Sequence, residues 1–352
     1  MTFSAAIHAL HETSAPERVG DRAASRLADV RGLISREMIE VEEQIGVRIA
    51  AGVAPATDSA KHLFDAGGKR VRPMALLLAH ACFAPVDAKA RGLAAAAELV
   101  HMATLLHDDV IDDGLTRRGL PAPRIADGNG VSVLAGDWLL TTSLDLALRS
   151  HVPGAVEALV RTLRRLVEGE ARQLALRGSA AFAAEDALQI AELKTGALFA
   201  WCGEAGALAA RAPEDVREAL REFGLRCGVA FQIADDLLDF EADAATLGKA
   251  VLADVAEGKP SLPLAIALKR LPPLRGELEA LLLLDPATPE LEQRTRTRAF
   301  AGKLSRTGAL GAARRLAEKE RDAALEALAR VPSSPTRELL EQVAQSLLAR
   351  HS

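Results

Sequence analysis

The stretch Glu98-Leu-Val-His-Met-Ala-Thr-Leu-Leu-His-Asp-Asp-Val-Ile-Asp-Asp113 carries an apolar helix straight into four aspartates. Aspartate is a poor helix former and does not belong late in a buried helix without a reason. Asp108 and Asp112 stand one turn apart on one face, about 6 Å along the axis. Unneutralised, they repel. A hard divalent cation removes that cost, and Mg²⁺ takes one or two carboxylates together with phosphate oxygens of a substrate. The plain counter-reading is a solvated acidic helix end, and this motif alone does not choose between the two.

The pattern returns in Phe231-Gln-Ile-Ala-Asp-Asp-Leu-Leu-Asp-Phe240, again an apolar helix entering a DDxxD. Asp235 and Asp239 share a face, with Gln232 about one turn earlier. Two such clusters are hard to explain as surface decoration. If the two helices face each other, the carboxylates make a multi-metal clamp for a diphosphate. A diphosphate also asks for protein cations. Gly67-Gly-Lys-Arg-Val-Arg-Pro73 offers Lys69, Arg70 and Arg72 beside a glycine pair, without the spacing of a Walker loop. Arg117 and Arg118 follow the first aspartates. Lys194-Thr195, Lys249 and Lys259 come later, with Gly248-Lys249 and Gly258-Lys259 at helix breaks. Any one of these cations reads as a solvated charge; their interleaving with the two acidic motifs is what informs.

Outward from the motifs, helix-period apolar spacing dominates, as in Leu27, Val30, Leu33, Ile34 and Met38, or Leu325 and Leu328 followed by Leu339, Leu340 and Val343. Strand alternation is nearly absent. Gly and Pro punctuate at Gly67–Gly68, Gly119–Gly130, Gly258–Pro263 and Leu271–Pro289. The expectation is an all-α protein. Its 352 residues would allow two domains, but no long linker divides them, so one multi-helix domain is favoured.

Composition narrows the function. Aromatics are 3 %, with no Tyr, which argues against base-stacking platforms and against a β-sandwich. A net charge of −5 gives no overall basic field for nucleic acid or acidic lipid. Cys82, Cys202 and Cys227 fit neither a disulfide framework nor a zinc site, so a reducing cytoplasm is expected. No apolar run approaches a membrane span of about 20 residues. The first residues lack a basic region and an apolar core, and read as a loosely held leader rather than a secretory signal.

With these residues in view, the chain resembles the trans-isoprenyl diphosphate synthases, the polyprenyl synthetase family. The likeness runs from about Glu40 onward. It rests on GGKRVRP (Gly67–Pro73), HDDVIDDGLTRRG (His107–Gly119), LAGDWLL (Leu134–Leu140), GEARQ (Gly169–Gln173), KTGALF (Lys194–Phe199), FGLRCGVAFQIADDLLD (Phe223–Asp239) and GKPSLPL (Gly258–Leu264), in that order. The resemblance implies an all-α, single-domain bundle around a deep central cavity, with residues 1–39 as leader and first helix and 40–352 as the synthetase domain. It implies a cytoplasmic homodimer that joins isopentenyl diphosphate to an allylic diphosphate. No nucleic acid and no membrane span are involved, and membrane contact would be peripheral, for product release. Mg²⁺, three ions with substrate bound, would be held by Asp108, Asp112 and Asp235, with Asp109, Asp236 and Asp239 supporting. Lys69, Arg72, His101 and Arg118 would hold isopentenyl diphosphate. Arg117, Lys194, Thr195, Gln232, Lys249 and Lys259 would hold the allylic diphosphate.

No side-chain nucleophile is required, in keeping with the lack of a Ser/His/Asp or Cys/His signature. Ala103 and Thr104, small residues just before the first motif, correspond to positions where aromatic side chains shorten the product in the family. The resemblance is therefore to medium- and long-chain members, with a short-chain farnesyl or geranylgeranyl synthase, or a non-catalytic partner subunit, as alternatives. A terpene cyclase lacks the second DDxxD and GGKRVRP, and a di-iron bundle needs two ExxH motifs where one convincing example, Glu98–His101, is present. The chain departs from the family at Gly119-Leu-Pro-Ala-Pro-Arg124 and at Ser261, where Thr is common.

Overall fold

The structure, a computed structural model, describes residues 21–241, 252–285 and 288–346. Helices account for most of it. Long ones run over Asp21–Ala50, Ala88–Ile111, Asn129–Arg149, Ala155–Leu176, Glu214–Glu241 and Ala309–Leu328. The single sheet among the described residues is a two-stranded hairpin, with Thr116 opposite Pro121 and Arg117 opposite Leu120. Its turn is Arg118-Gly119, both left-handed at φ 54° and 79°, the geometry of a tight hairpin whose twist matches its strands. All-α was the expectation, and the fold is all-α.

The contact pattern gives two compact units. One contains residues 21–162, 198–224 and 325–346; the other contains 163–197, 225–241, 252–285 and 288–324. The Ala155–Leu176 and Glu214–Glu241 helices contribute residues to both.

In the first unit the centre is Ala88–Ile111. Asp87 caps its start by accepting from the Ala90 N–H at 2.9 Å. Its alanines, Ala94–Ala97, are fully buried and let neighbouring backbones come close. It packs along Asn129–Arg149 and against Val71–Ala81 and Asp21–Ala50, while Pro335–Ser346 covers Val71–Ala81. Asn129–Arg149 is also long and apolar enough to cross a membrane, by length and composition. Asp137 and Asp145 interrupt its apolar run, which is why a search for uninterrupted runs passes over it. Its buried face, Ser132, Ala135, Gly136, Leu139, Ser143 and Leu146, is the face that a core helix needs.

In the second unit, Val229, Ile233 and Leu237 of Glu214–Glu241 join a core with Val255, Leu262, Leu264, Leu268, Phe300 and Leu304. Burying that face fixes the rotation of the helix, and leaves Asp235 exposed on the other side.

Candidate active site

The first aspartate motif closes the Ala88–Ile111 helix. Asp112 is its C-cap, with its N–H on the Asp108 carbonyl at 2.8 Å. Asp113 is left-handed, at φ 53°, and turns the chain away. Four carboxylates at a helix C-terminus oppose the macrodipole, so the turn depends on outside partners. Asp109 is fully buried and ion-paired with Arg117, whose Nε also donates to Oδ1 at 3.0 Å. Its Oδ2 is buried without a hydrogen-bond donor. Asp108 and Asp112 are half-buried. Arg124, in the stretch that departs from the family, pairs with Asp113 at 2.9 Å and donates to the Gly114 carbonyl at 3.3 Å. The unusual loop thus supplies its own anchor.

The expected isopentenyl diphosphate residues converge in the same unit. Arg70 is buried and left-handed at φ 49°, and heads the Val71–Ala81 helix. It donates to Glu98 Oε1 at 2.7 Å and to Glu42 Oε1 at 3.2 Å, and it lies over the Phe64 ring. Arg72 lies over the Phe199 ring, 5.0 Å from its centroid. An added Cβ at Gly68 would sit 3.0 Å from Arg118 Nη2 and 3.1 Å from Arg70 Nη1, so two guanidiniums close on one bare backbone. Burial, followed by Arg72, Arg118, Arg117 and Arg70, drives the His101 imidazole well below its usual range. It is neutral at pH 7. Burial likewise lowers Arg72 and Arg118, partly offset by Glu98. Arg72 Nε and Arg118 Nη1 are buried donors without an acceptor. Buried guanidinium donors are rarely left so, and a multi-oxygen anion is the partner that satisfies them. Lys69 is exposed. Ala103 is fully buried, and the half-buried Thr104 donates its hydroxyl to the His101 carbonyl at 2.8 Å.

The second motif is organised differently. Asp235 is exposed. Asp236 accepts from Gln232 Nε2 at 2.9 Å and from the Leu262 N–H at 3.2 Å. Thr195 donates to Gln232 Oε1 at 2.7 Å, extending the chain of bonds to three side chains. Burial pushes the Asp236 carboxyl up to about 7, with Asp235 and Asp239 adding to the rise and Gln232 and Leu262 opposing it. Asp239 accepts the Asp254 N–H at 3.0 Å. Asp254 is itself raised well above the carboxylate range, by burial and then by Asp236 and Asp239. Lys259 pairs with Glu257 at 2.6 Å and gives its own N–H to the Asp254 carbonyl at 2.8 Å. Lys249 lies outside the described residues.

Lys194 and Thr195 sit in a π-helical turn, Glu192–Gly196, a device found often at functional sites. Lys194 is ion-paired with Glu170. A Cβ at Gly169 would come 2.8 Å from Leu193 Cβ and 3.0 Å from the Lys194 nitrogen. That close approach accounts for the glycine of GEARQ. Sequence reading passed over Asp254, and it named Glu98, Arg70 and Glu170 within their motifs without the partners they have here. Asp254 carried a faint signal, as an acid among small apolar residues just before Gly258-Lys259.

Among the described residues, no three His, Cys, Asp or Glu side chains gather to hold a metal by themselves. This suits Mg²⁺, which takes few carboxylates and completes its shell with phosphate and water oxygens. The donor set is hard oxygen throughout, and the crowded, proton-retaining carboxyls Asp236 and Asp254 are what a cation would relieve.

Comparison with known proteins agrees. Residues 54–294 match the polyprenyl synthetase family. The all-trans-nonaprenyl-diphosphate synthase (geranyl-diphosphate specific) of Rhodobacter capsulatus is 35 % identical over 92 % of this chain and 97 % of its own. Component 2 of the heptaprenyl diphosphate synthase of Geobacillus stearothermophilus is 33 % identical over 91 % and 97 %. The crystal structure of a polyprenyl synthase from Caulobacter crescentus CB15, complexed with calcium and isoprenyl diphosphate, is 36 % identical and superposes with a TM-score of 0.84, covering 96 % of this chain and all of that one. The chain belongs to the polyprenyl synthetase family. Its activity is trans-prenyl transfer giving a polyprenyl diphosphate.

Proposed function

We propose that this protein condenses isopentenyl diphosphate with an allylic diphosphate, in the presence of Mg²⁺, to give a trans-polyprenyl diphosphate of medium to long chain. Two observations carry this reading, each within its own unit: the crowded carboxyls of Asp236 and Asp254, and the buried arginine donors of Arg72 and Arg118 that have no acceptor. Asp108, Asp112 and Asp235 would hold Mg²⁺, three ions in the substrate-bound state, with Asp109, Asp236 and Asp239 in support. When bound, the ions neutralise the charge that builds on the departing diphosphate.

The protein's own groups do the rest. Lys194, Thr195, Gln232, Arg117, Lys249 and Lys259 hold the allylic diphosphate. Lys69, Arg72, His101 and Arg118 hold isopentenyl diphosphate. The allylic carbon–oxygen bond breaks, and its electron pair leaves on the diphosphate. The double bond of isopentenyl diphosphate then forms the new carbon–carbon bond. The released diphosphate takes the proton that is lost. Cations fixed before reaction stabilise that developing charge without reorganising.

We further read the chain as one domain, since two helices contribute to both compact units. A homodimer is supported by the exposed face of Asn129–Arg149, which presents Val133, Leu134, Thr141 and Leu148. A cytoplasmic location is supported by the free thiols of Cys82, Cys202 and Cys227. The second reading, a subunit of a heteromeric synthase, draws on the relative named as a component.

One experiment tests both readings. Purified protein alone is incubated with labelled isopentenyl diphosphate, geranyl or farnesyl diphosphate, and Mg²⁺. Long labelled products support the homomeric enzyme, and no turnover without a second polypeptide favours the subunit. Chain length is set on this reading by Ala103 and Thr104. Ala103→Tyr, or the less buried Thr104→Phe, shortens the product, and an unchanged distribution on chromatography rules that out.

A further inference from the structure

The Leu134–Leu140 stretch carries no role in the reaction just described, yet its helix touches the first aspartate motif at two adjacent points. The Ser132 hydroxyl, fully buried, donates to the Leu106 carbonyl at 3.1 Å. One residue further along each helix, His107 Nε2 donates to the Val133 carbonyl at 3.2 Å and lies 3.5 Å from Asp137 Oδ1. Because a carbonyl accepts, Nε2 bears the proton. The imidazole rests on bare backbone: a Cβ at Gly136 would stand 2.5 Å from His107 Cδ2, closer than any real packing allows.

These contacts fall where the helix most needs them. Leu106 and His107 immediately precede Asp108, in the last turns of a helix that ends at Ile111. End turns fray, and this one carries carboxylates at the negative end of the dipole. The turn cannot rotate or unwind while residues 106 and 107 are tied to the neighbouring helix.

We propose that His107, seated on Gly136 and seconded by Ser132, is a positioning residue that fixes the direction of Asp108 and Asp112 for the metal-bound diphosphate. The inference rests on the proposed function for what those aspartates hold. The side chain of His107 touches neither substrate nor metal; it acts through the backbone turn next to it. Gly136 is the matching requirement, since any side chain there evicts the ring.

Calorimetric binding of two probes tests the clamp independently of turnover: Mg²⁺ with inorganic pyrophosphate for the aspartates, and isopentenyl diphosphate in EDTA for the arginines. His107→Ala and Gly136→Ala should each weaken Mg²⁺-pyrophosphate binding about tenfold or more, as loss of an outer support does at metal sites. Binding of isopentenyl diphosphate should stay at the wild-type value. His107→Gln, whose amide can reach the same carbonyl, should recover affinity to within about threefold. The His107→Ala/Gly136→Ala pair, free of the clash, should match His107→Ala alone, which covers the case in which Gly136→Ala fails to fold. Wild-type affinity for Mg²⁺-pyrophosphate in His107→Ala overturns the proposal. So does equal weakening of both probes with a lowered melting temperature, which marks a packing residue, and so does a wild-type protein that binds no Mg²⁺-pyrophosphate. A wild type that binds both probes but turns over no labelled isopentenyl diphosphate overturns the enzymatic reading and leaves the clamp standing.

Discussion

The first and second aspartate motifs share a spelling and differ in what surrounds them. Around Asp108–Asp113 the neutralising partners are arginines: Arg117 on Asp109 and Arg124 on Asp113. In the second motif, Asp236 and Asp239 accept hydrogen bonds from neutral groups: Gln232 and the backbone N–H of Leu262 for Asp236, and that of Asp254 for Asp239. The consequence is electrostatic. Asp236 and Asp254 are pushed up toward their protonated forms by burial and by each other's neighbours. The same five-residue pattern therefore has arginine partners in one place and proton-favouring, crowded carboxyls in the other. The crowded one gains more from a divalent cation.

That contrast can be broken in graded ways. Asp108→Ala and Asp235→Ala each remove a proposed metal ligand, one from each motif, and each should reduce kcat at least about a hundredfold. Near-normal turnover in either, measured with labelled isopentenyl diphosphate, would count against the whole assignment. Gly68→Ala acts on the arginine side. Its methyl would press on Arg118 and Arg70, and the KM for isopentenyl diphosphate should rise about tenfold while the allylic KM holds. A rise in both would mean that the arginines do not distinguish the substrates.

The smallest effect is the most particular to the crowded motif. The folded carboxyl of Asp236 is raised to about 7, against an unfolded value of about 3.9. The folded state therefore holds the extra proton between those values, and stability without ligand falls as pH climbs from about 4 to about 7. Thermal melts across that window should show the slope. Asp236→Asn should flatten it, and so should Mg²⁺ with pyrophosphate. A slope unchanged by both would place the titration elsewhere.

Much of this was legible in the sequence because it is local. Four-residue spacing on a helix makes Asp108 and Asp112 neighbours whatever the rest of the chain does, and the same holds for Asp235 and Asp239. The all-α architecture followed from helix-period apolar spacing for the same reason. What could not be read is non-local. Glu98 looked like half of an ExxH pattern until Arg70 came within 2.7 Å of it. Glu170 acquires meaning only when the π-helical turn brings Lys194 to it. Asp254 becomes part of the second motif through a backbone bond to Asp239 that no spacing rule anticipates. Gly136 reads as a flaw in a helix until the His107 ring is seen lying on it.

The small hairpin at Thr116–Pro121 has a consequence of its own. Arg117 is committed to Asp109, while Arg118, next in the chain, reaches the backbone at Gly68. Arg117 ends its strand and Arg118 opens the left-handed two-residue turn, which leaves no slack to absorb an error. The hairpin thus works as a ruler with two marks, one arginine for the buried Asp109 and one for the backbone at Gly68. An insertion or deletion of one residue between Gly114 and Arg117 would shift both arginines together and take each off its partner without altering the composition of the site, so length in this segment is as constrained as the identity of either arginine.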